Sequence, residues 1–352
     1  MADYDYGNAR LRVMKSRLLS QRELESLIMT GNLQGLIVAL SKTVYQPAIE
    51  AALTRASGMQ CMDDALRNDL IDSISKMRAF YQEEAAQRVA IRLRAYDIHN
   101  LKAILRGLSN HIPANEIMAT LLPIGDLDAG VLRELTALIN LREMIDRLAS
   151  IGSPFAGPLL NVRAESPKAG TPEMELALDK WYFQEASQLL RSETGGADTL
   201  SVALMQEADL INLLTVLRLA QHVQEILGTL EMTHLLLHPG RIADDLLVNA
   251  SSQDSVAAAI EMLSASAFRP ALHAGLQEYM RSNRLSDIEK QLKRFHLKWL
   301  AGQITRDTLG IGVVLGYIAL KVNEISNLRW ITLGINQGLQ PAAIRAGLEL
   351  VA

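Results

Sequence analysis

The chain has 352 residues with 35 Lys and Arg against 39 Asp and Glu, a formal net charge of −4, so neither nucleic acid nor an anionic lipid surface is implied as its main partner. Hydrophobic residues make up 49% but aromatics only 5%, and the chain leans on Leu, Ala, Ile and 13 Met, a helix-forming vocabulary that predicts an all-α fold. Cys61 is the sole cysteine, which excludes an internal disulfide and fits a cytosolic protein, and the opening MADYDYGNARLR carries no apolar signal region.

In chain order, the first predicted helix carries a basic cluster, Arg10, Arg12, Lys15 and Arg17. VYQPAIEAAL (44–53) then sets a proline at the head of a short apolar run, the signal of a proline-initiated helix. From Gly58 to Gly107 no Gly or Pro intervenes and helical periodicity runs throughout, so this is either one helix of about 70 Å at 1.5 Å per residue or two helices. FAGPLL (155–160) repeats the proline signal, and RAESPKAGTP (163–172) is a surface loop. Thr171 as N-cap and Pro172 in the first turn open the next helix, which SETGGAD (192–198) separates from one running to Leu227. AFRPALHAGL (267–276) gives the proline signal a third time. The spacing of Ser286 and Glu289 predicts a capping box at the start of a helix ending near Gly302. GQITRDTLGIG (302–312) precedes the last long helix. The most apolar stretch, LGIGVVLGYIAL (309–320), stops at Lys321, short of the ~18 to 20 residues of a bilayer crossing, so no membrane span is expected. No strand pair or hairpin dipeptide is found.

One phrase recurs within these helices: DIHNLKAILR (97–106), DLINLLTVLR (209–218) and EISNLRWITL (324–333). In each, an acid is followed at +3 by Asn, at +4 by Leu and at +7 by Ile or Val, offsets that fall on one helix face. The acids Asp97, Asp209 and Glu324 are 112 and 115 residues apart, and the marker prolines Pro47, Pro158 and Pro270 are 111 and 112 apart. Two markers with one period predict three diverged helical repeats of about 115 residues sharing one body, at 1–110, 111–222 and 223–352. The polar pairs Asp97 and Asn100, Asp209 and Asn212, and Glu324 and Asn327 continue the apolar stripe. They are therefore partly buried and need donors or a cation. Either each acid bonds a neighbouring helix and sets register among the repeats, or all three face a shared cavity; stripe continuity into each repeat's own core favours the first.

Nothing reads as an active site. There is no phosphate-cradling GxxxxGK[ST] loop, and Gly310, Gly312 and Gly316 lack both the spacing and the preceding strand of a dinucleotide fingerprint. Glu231, His234 and His238 fall at i, i+3 and i+7, the makings of a metal-binding helix face and of an alternative reading as a repeat enzyme or metal protein, but a second ligand-bearing helix is missing. No metal or other cofactor is expected. Two basic clusters, Arg10, Arg12 and Lys15, and Lys290, Lys293 and Arg294, are candidate contacts for an acidic partner.

YGNARLRVMKSRLL at the start, DIHNLKAILRG and DLINLLTVLR within, and DTLGIGVVLGYIALKVNEISNLRWITLGINQGLQPAAIRAGL at the end together resemble the C subunit of archaeal and bacterial V/A-type rotary ATPases, relatives of the V-ATPase d subunit. The resemblance spans Tyr4 to the C-terminus. It implies a funnel of three helical units about a pseudo-threefold axis and a non-catalytic rotor adaptor. Such an adaptor is seated on the proteolipid ring, receives the central stalk, and lies peripherally on the cytoplasmic face of an ion-transporting membrane. The family's Asp-x-x-Asn-Leu positions carry onto Asp97, Asn100 and Leu101 and onto Asp209, Asn212 and Leu213; the third copy departs with Glu324, and with Leu333 where the others have Arg106 and Arg218.

Overall fold

The computed structural model describes residues 2–166, 169–193, 198–221 and 232–351, with backbone alone at 192 and 193. Its regular structure is helical, and no strand occurs among the described residues. The helices are α1 (Asp5–Lys15), α2 (Gln21–Ile28), α3 (Leu33–Leu40), α4 (Gln46–Leu53), α5 (Gly58–Arg78) and α6 (Glu83–Ser109). They continue with α7 (Ala114–Thr120), α8 (Ala129–Thr136), α9 (Leu141–Ser150), α10 (Ala156–Glu165), α11 (Thr171–Glu193) and α12 (Thr199–Gln221). Beyond residue 232 come α13 (Asp244–Ser251), α14 (Val256–Met262), a short 3-10 turn (Leu263–Ala265), α15 (Arg269–Ser282), α16 (Leu285–Arg306), α17 (Gly312–Asn336) and α18 (Pro341–Gly347).

The Gly- and Pro-free window resolves into two helices. The break falls at residues 79–82, where Tyr81 turns inward to 5% exposure against the Tyr4 ring and Glu83 takes a left-handed φ of 47°. That inward ring leaves no room at Gly7, where a Cβ would lie 2.2 Å from it, and the Tyr81 hydroxyl donates to Asn8. Asn8 in turn donates to the Gly310 carbonyl at 2.9 Å, so the Gly-Asn pair of the opening segment ties α1 to the turn before α17. Pro47, Pro158 and Pro270 each sit in the first turn of a helix (α4, α10 and α15), where a missing N–H leaves no hydrogen bond broken.

The expected capping box at Ser286 and Glu289 is absent. α16 starts at Leu285, Ser286 is exposed, Glu289 accepts from Lys293 at 2.5 Å, and Gly302 lies inside the helix. The left-handed Asn283 reverses the chain there, and Ser282 accepts from the Arg284 N–H at 3.2 Å. A capping box does form at Ser20 and Glu23, at the head of α2.

The chain divides into two compact units, Met1–Ile104 with Ile112–Ala137 and Leu300–Ala352, and Leu105–His111 with Leu138–Trp299. The first is built on α17, whose opening stretch 312–319 is buried on every side and which packs against α5, α1, α2 and α3. Its close approaches are made by glycine: Gly316 lies against Ile304 and the Leu300 carbonyl, and Gly334 against Ile344. Gly310 and Gly312 accommodate the Asp307 carboxylate, which accepts from the Gly312 N–H at 2.9 Å, so these glycines serve helix entry and packing. In the second unit α12 is the central helix, packed on α13, α14 and α11. Among the described residues α12 alone is long and apolar enough to cross a membrane, yet 61% of that window is buried in the protein and Asp209 and Asn212 lie within it.

Leu101, Leu213 and Leu328, the +4 residues of the recurring phrase, are each fully buried at 0% exposure. Truncating any one to Ala is expected to lower unfolding free energy by about 2 to 5 kcal/mol, whereas a surface change would fall within about 0.5 kcal/mol. Denaturant midpoints of the three variants check this; three unshifted midpoints would remove these leucines from the core.

Candidate functional site

The three recurring polar pairs are buried, at 0% exposure for Asp97 and Asn100, 2% for Asp209 and Asn212, and 5% and 4% for Glu324 and Asn327. Each Asn makes a reciprocal pair with the backbone N–H and carbonyl of one residue downstream. Asn100 accepts from the Leu122 N–H at 2.8 Å and donates to its carbonyl at 2.7 Å. Asn212 does the same with Leu237 at 2.8 and 3.0 Å, and Asn327 with Glu349 at 2.9 and 3.0 Å. A primary amide suits this position because it offers one donor and one acceptor in the geometry of a peptide strand.

The acids grip the same loops a little further on. Asp97 accepts from the N–H groups of Asp126 and Leu127 at 2.7 and 3.0 Å, and Asp209 from those of Arg241 and Ile242 at 2.9 and 3.1 Å. Leu127 and Ile242 each immediately precede the N-cap of the next short helix, Asp128 for α8 and Ala243 for α13. Glu324 accepts at 2.5 Å from the N–H of Leu19, the residue immediately before Ser20, the N-cap of α2. All three acids thus hold the backbone just ahead of a short helix, and the third reaches the one near the N-terminus.

Glycine makes the first two clamps possible. A Cβ at Gly125 would stand 2.1 Å from the Asp97 carboxylate, and one at Gly240 2.5 Å from that of Asp209. In both loops the glycine lies three residues after the clamped leucine: Leu122 and Gly125, Leu237 and Gly240. LLPIGDL (121–127) and LLHPGRI (236–242) therefore carry the loop half of the pattern, a signal present in the sequence that the helix phrases overshadow.

Glu324 enters a buried ionic cluster. Lys321 forms an ion pair with Asp69 at 2.7 Å and donates to Glu324 at 3.0 Å and to the Tyr45 hydroxyl at 2.9 Å, and its ammonium lies 4.5 Å from the Tyr45 ring centroid. The Tyr45 hydroxyl donates to Glu324 in turn. Every charge in the cluster has a partner of opposite sign, the condition under which buried charges persist.

Burial pushes the Asp97 carboxyl up to about 6, against the downward pull of its two backbone N–H bonds, and raises Asp209 by the same cause. At the following turn, Arg106 grips Glu175 through two hydrogen bonds and Arg218 lies 3.5 Å from Glu289; Leu333, at the third copy, is 38% exposed.

Of the residues of the metal-binding alternative, the two histidines are described and do not form a helical pair. Glu231 lies outside the described residues, His234 is in an exposed turn, and His238 falls in the loop clamped by Asn212, where its Nε2 is 3.6 Å from Asp244. The two histidines share no helix face, because the helical spacing that links them in sequence ends before His234 in the fold. No cluster of metal-ligating side chains occurs among the described residues. Cys61 is buried, and burial raises its thiol.

The two basic clusters are placed differently. Arg10, Arg12, Lys15 and Arg17 are all exposed on or just beyond α1; Arg12 donates to the Thr308 carbonyl at 2.6 Å and Arg10 lies over the Phe80 ring. On α16, Lys293 is exposed but paired with Glu289, while Lys290 and Arg294 are half-buried.

What these contacts define is a helical scaffold whose buried polar groups hold its own backbone. Consistent with that class, residues 7–347 match the model of the ATP synthase (C/AC39) subunit family, and the chain belongs to that family. It is similar to the C subunit of the V-type ATP synthase of Deinococcus radiodurans, at 27% identity over 99% of this chain and 91% of that one. It is also similar to the C subunits of the A-type ATP synthases of Methanocaldococcus jannaschii (25%, covering 98% and 86%) and Haloferax volcanii (24%, covering 99% and 97%).

Two outcomes test the clamps. Gly125→Ala and Gly240→Ala are expected to destabilise by about 1 to 3 kcal/mol through displaced carboxylate hydrogen bonds. Gly157→Ala, in a helix with nothing within 4 Å of the new Cβ, is expected to be neutral or stabilising; thermal melts of the three variants decide. Because the folded Asp97 carboxyl titrates near 6, above its ordinary value of 3.8, its stabilising contribution is complete below the lower value and is lost as pH rises through 6. Urea midpoints should therefore shift in favour of the natural protein over Asp97→Asn between pH 7 and pH 5; a pH-independent difference would contradict the assignment.

Proposed function

We propose that the chain is a non-catalytic rotor adaptor that couples the central stalk of a soluble ATPase sector to the proteolipid ring, in ATP-driven ion transport or ATP synthesis. The observation that carries this reading is family membership over residues 7–347. The polar pairs agree with it, since their hydrogen-bonding groups are engaged with the chain's own loops in the way a load-transmitting part requires. In this reading the body comprises three repeats, 1–110, 111–222 and 223–352, forming a funnel about a pseudo-threefold axis. Support comes from the recurring order of short helices followed by two long ones, and from the three acids that each hold the residue before a short-helix N-cap. The third acid, turned back to Leu19, is what closure of such a set of repeats would use. The adaptor lies on the cytoplasmic face and reaches the membrane through protein partners, the ring and the stalk.

Exposed cations such as Arg10, Arg12 and Lys15 suit a seat that associates and releases through charged contacts, and those contacts are screened over about 8 to 10 Å at physiological ionic strength. Attachment of the soluble sector is therefore expected to weaken as salt rises. Deleting the adaptor should abolish ATP-coupled ion pumping while leaving ATP hydrolysis by the detached soluble sector intact, measured on purified membranes and on the soluble sector alone. Pumping at the normal rate without it, or loss of hydrolysis in the isolated sector, would overturn the proposal.

A further inference from the structure

A groove of about 520 Å³ runs between α1, the head of α4 and α5 in the first unit. α1 presents Arg10 and Val13 to it, Arg17 joins them from the turn that follows the helix, Val44 lies opposite, and α5 contributes Asp72 and Lys76. Two features of this lining stand out together. Val13 and Val44 are 53% and 45% exposed, an unusual state for two apolar side chains that share one concavity. Around them, Arg10, Arg17 and Lys76 form no ion pair with any described residue; Asp69, at the floor, is already engaged by Lys321 at 2.7 Å, which leaves Asp72 as the sole acid facing three cations.

We infer that this groove is a docking site for an acidic polypeptide segment of a partner protein in the assembly, one that presents an apolar side chain to Val13 and Val44 and carboxylates to Arg10, Arg17 and Lys76. The lining selects this occupant by complementarity. A small inorganic anion would satisfy the cations but leave both valines in water, and a purely apolar segment would cover the valines while removing three cations from solvent without a counter-charge. A segment with acids flanking an apolar residue meets both demands. Most of the affinity comes from the shielded valines, and orientation and rate of association from the charges.

This inference rests on the adaptor reading, and its test separates the two. Val44→Cys places a thiol in the groove, against a silent background because Cys61 is fully buried. Maleimide labelling is measured on the full-length chain alone and on the purified rotary complex containing it. Labelling at least tenfold slower in the complex is expected, together with a short-arm cross-link from the introduced thiol to a partner peptide holding two or more Asp or Glu beside an apolar residue. Arg17→Glu combined with Lys76→Glu, both exposed positions where folding is not at stake, should restore labelling at least tenfold or prevent co-purification. If the chain co-purifies but the thiol labels equally fast in both states, the groove is not a docking site while the adaptor reading stands. A cross-link to lipid or to a segment without acids, or an unchanged double variant, also overturns it, and failure of the natural chain to co-purify removes both readings.

Discussion

A carboxylate and an amide buried on the same face of a helix impose a constraint that the surrounding structure must meet. The carboxylate needs donors, and an amide needs a donor and an acceptor in fixed relation. A single irregular loop supplies all of these, which is why Leu122 and Asp126–Leu127 are found against Asn100 and Asp97, and Leu237 and Arg241–Ile242 against Asn212 and Asp209. Placing that segment fixes where the next short helix begins, because the clamped residues adjoin its N-cap. The position of each short-helix set thus follows from two side chains on a long helix, and the close approach of loop to carboxylate follows from a glycine that no other residue could replace without a clash.

Glu324 applies the same solution with different partners. Its extra methylene reaches Leu19, and its second oxygen joins Tyr45 and Lys321, so the C-terminal long helix is tied to chain near the N-terminus. Lys321 brings Asp69 of α5 into the same cluster, and residues 19, 45, 69, 321 and 324 are thereby joined across the length of the sequence. Breaking one member of such a buried cluster leaves a charge without its counter-ion, so the connection is cooperative rather than a set of independent bonds. For a part that transmits force between neighbours, as proposed for this chain, polar contacts of this directional kind resist sliding better than apolar contacts, which have no preferred geometry.

The first unit has a second electrostatic face. Inside, Lys321 is paired with Asp69 and Glu324; along α1, the turn after it and α5, Arg10, Arg17 and Lys76 have no such partner, and two valines beside them remain wet. The same helix therefore packs inward through Leu11 and Asn8 and presents an unmatched outer stripe, the division expected of an amphipathic helix whose outer face has work to do in an assembly.

Much of the fold was legible in the order of residues. The 3.6-residue period, the prolines at helix starts and the recurrence of acid, Asn and Leu determined the helices, the leucine core positions and the burial of the polar pairs, because these depend on local propensity and on which side of a helix a residue occupies. The failures were local readings decided by distant contacts. Ser286 and Glu289 had capping-box spacing, but Glu289 is held by Lys293 and Arg218; His234 and His238 had helical spacing, but Asn212 pulls the second into a loop. Only the tertiary structure decided whom the polar pairs would meet. A helix period tells that Asp97 faces inward, but the identity of its donors depends on where a loop some thirty residues later returns, and chain return is set by packing between elements rather than by any one of them.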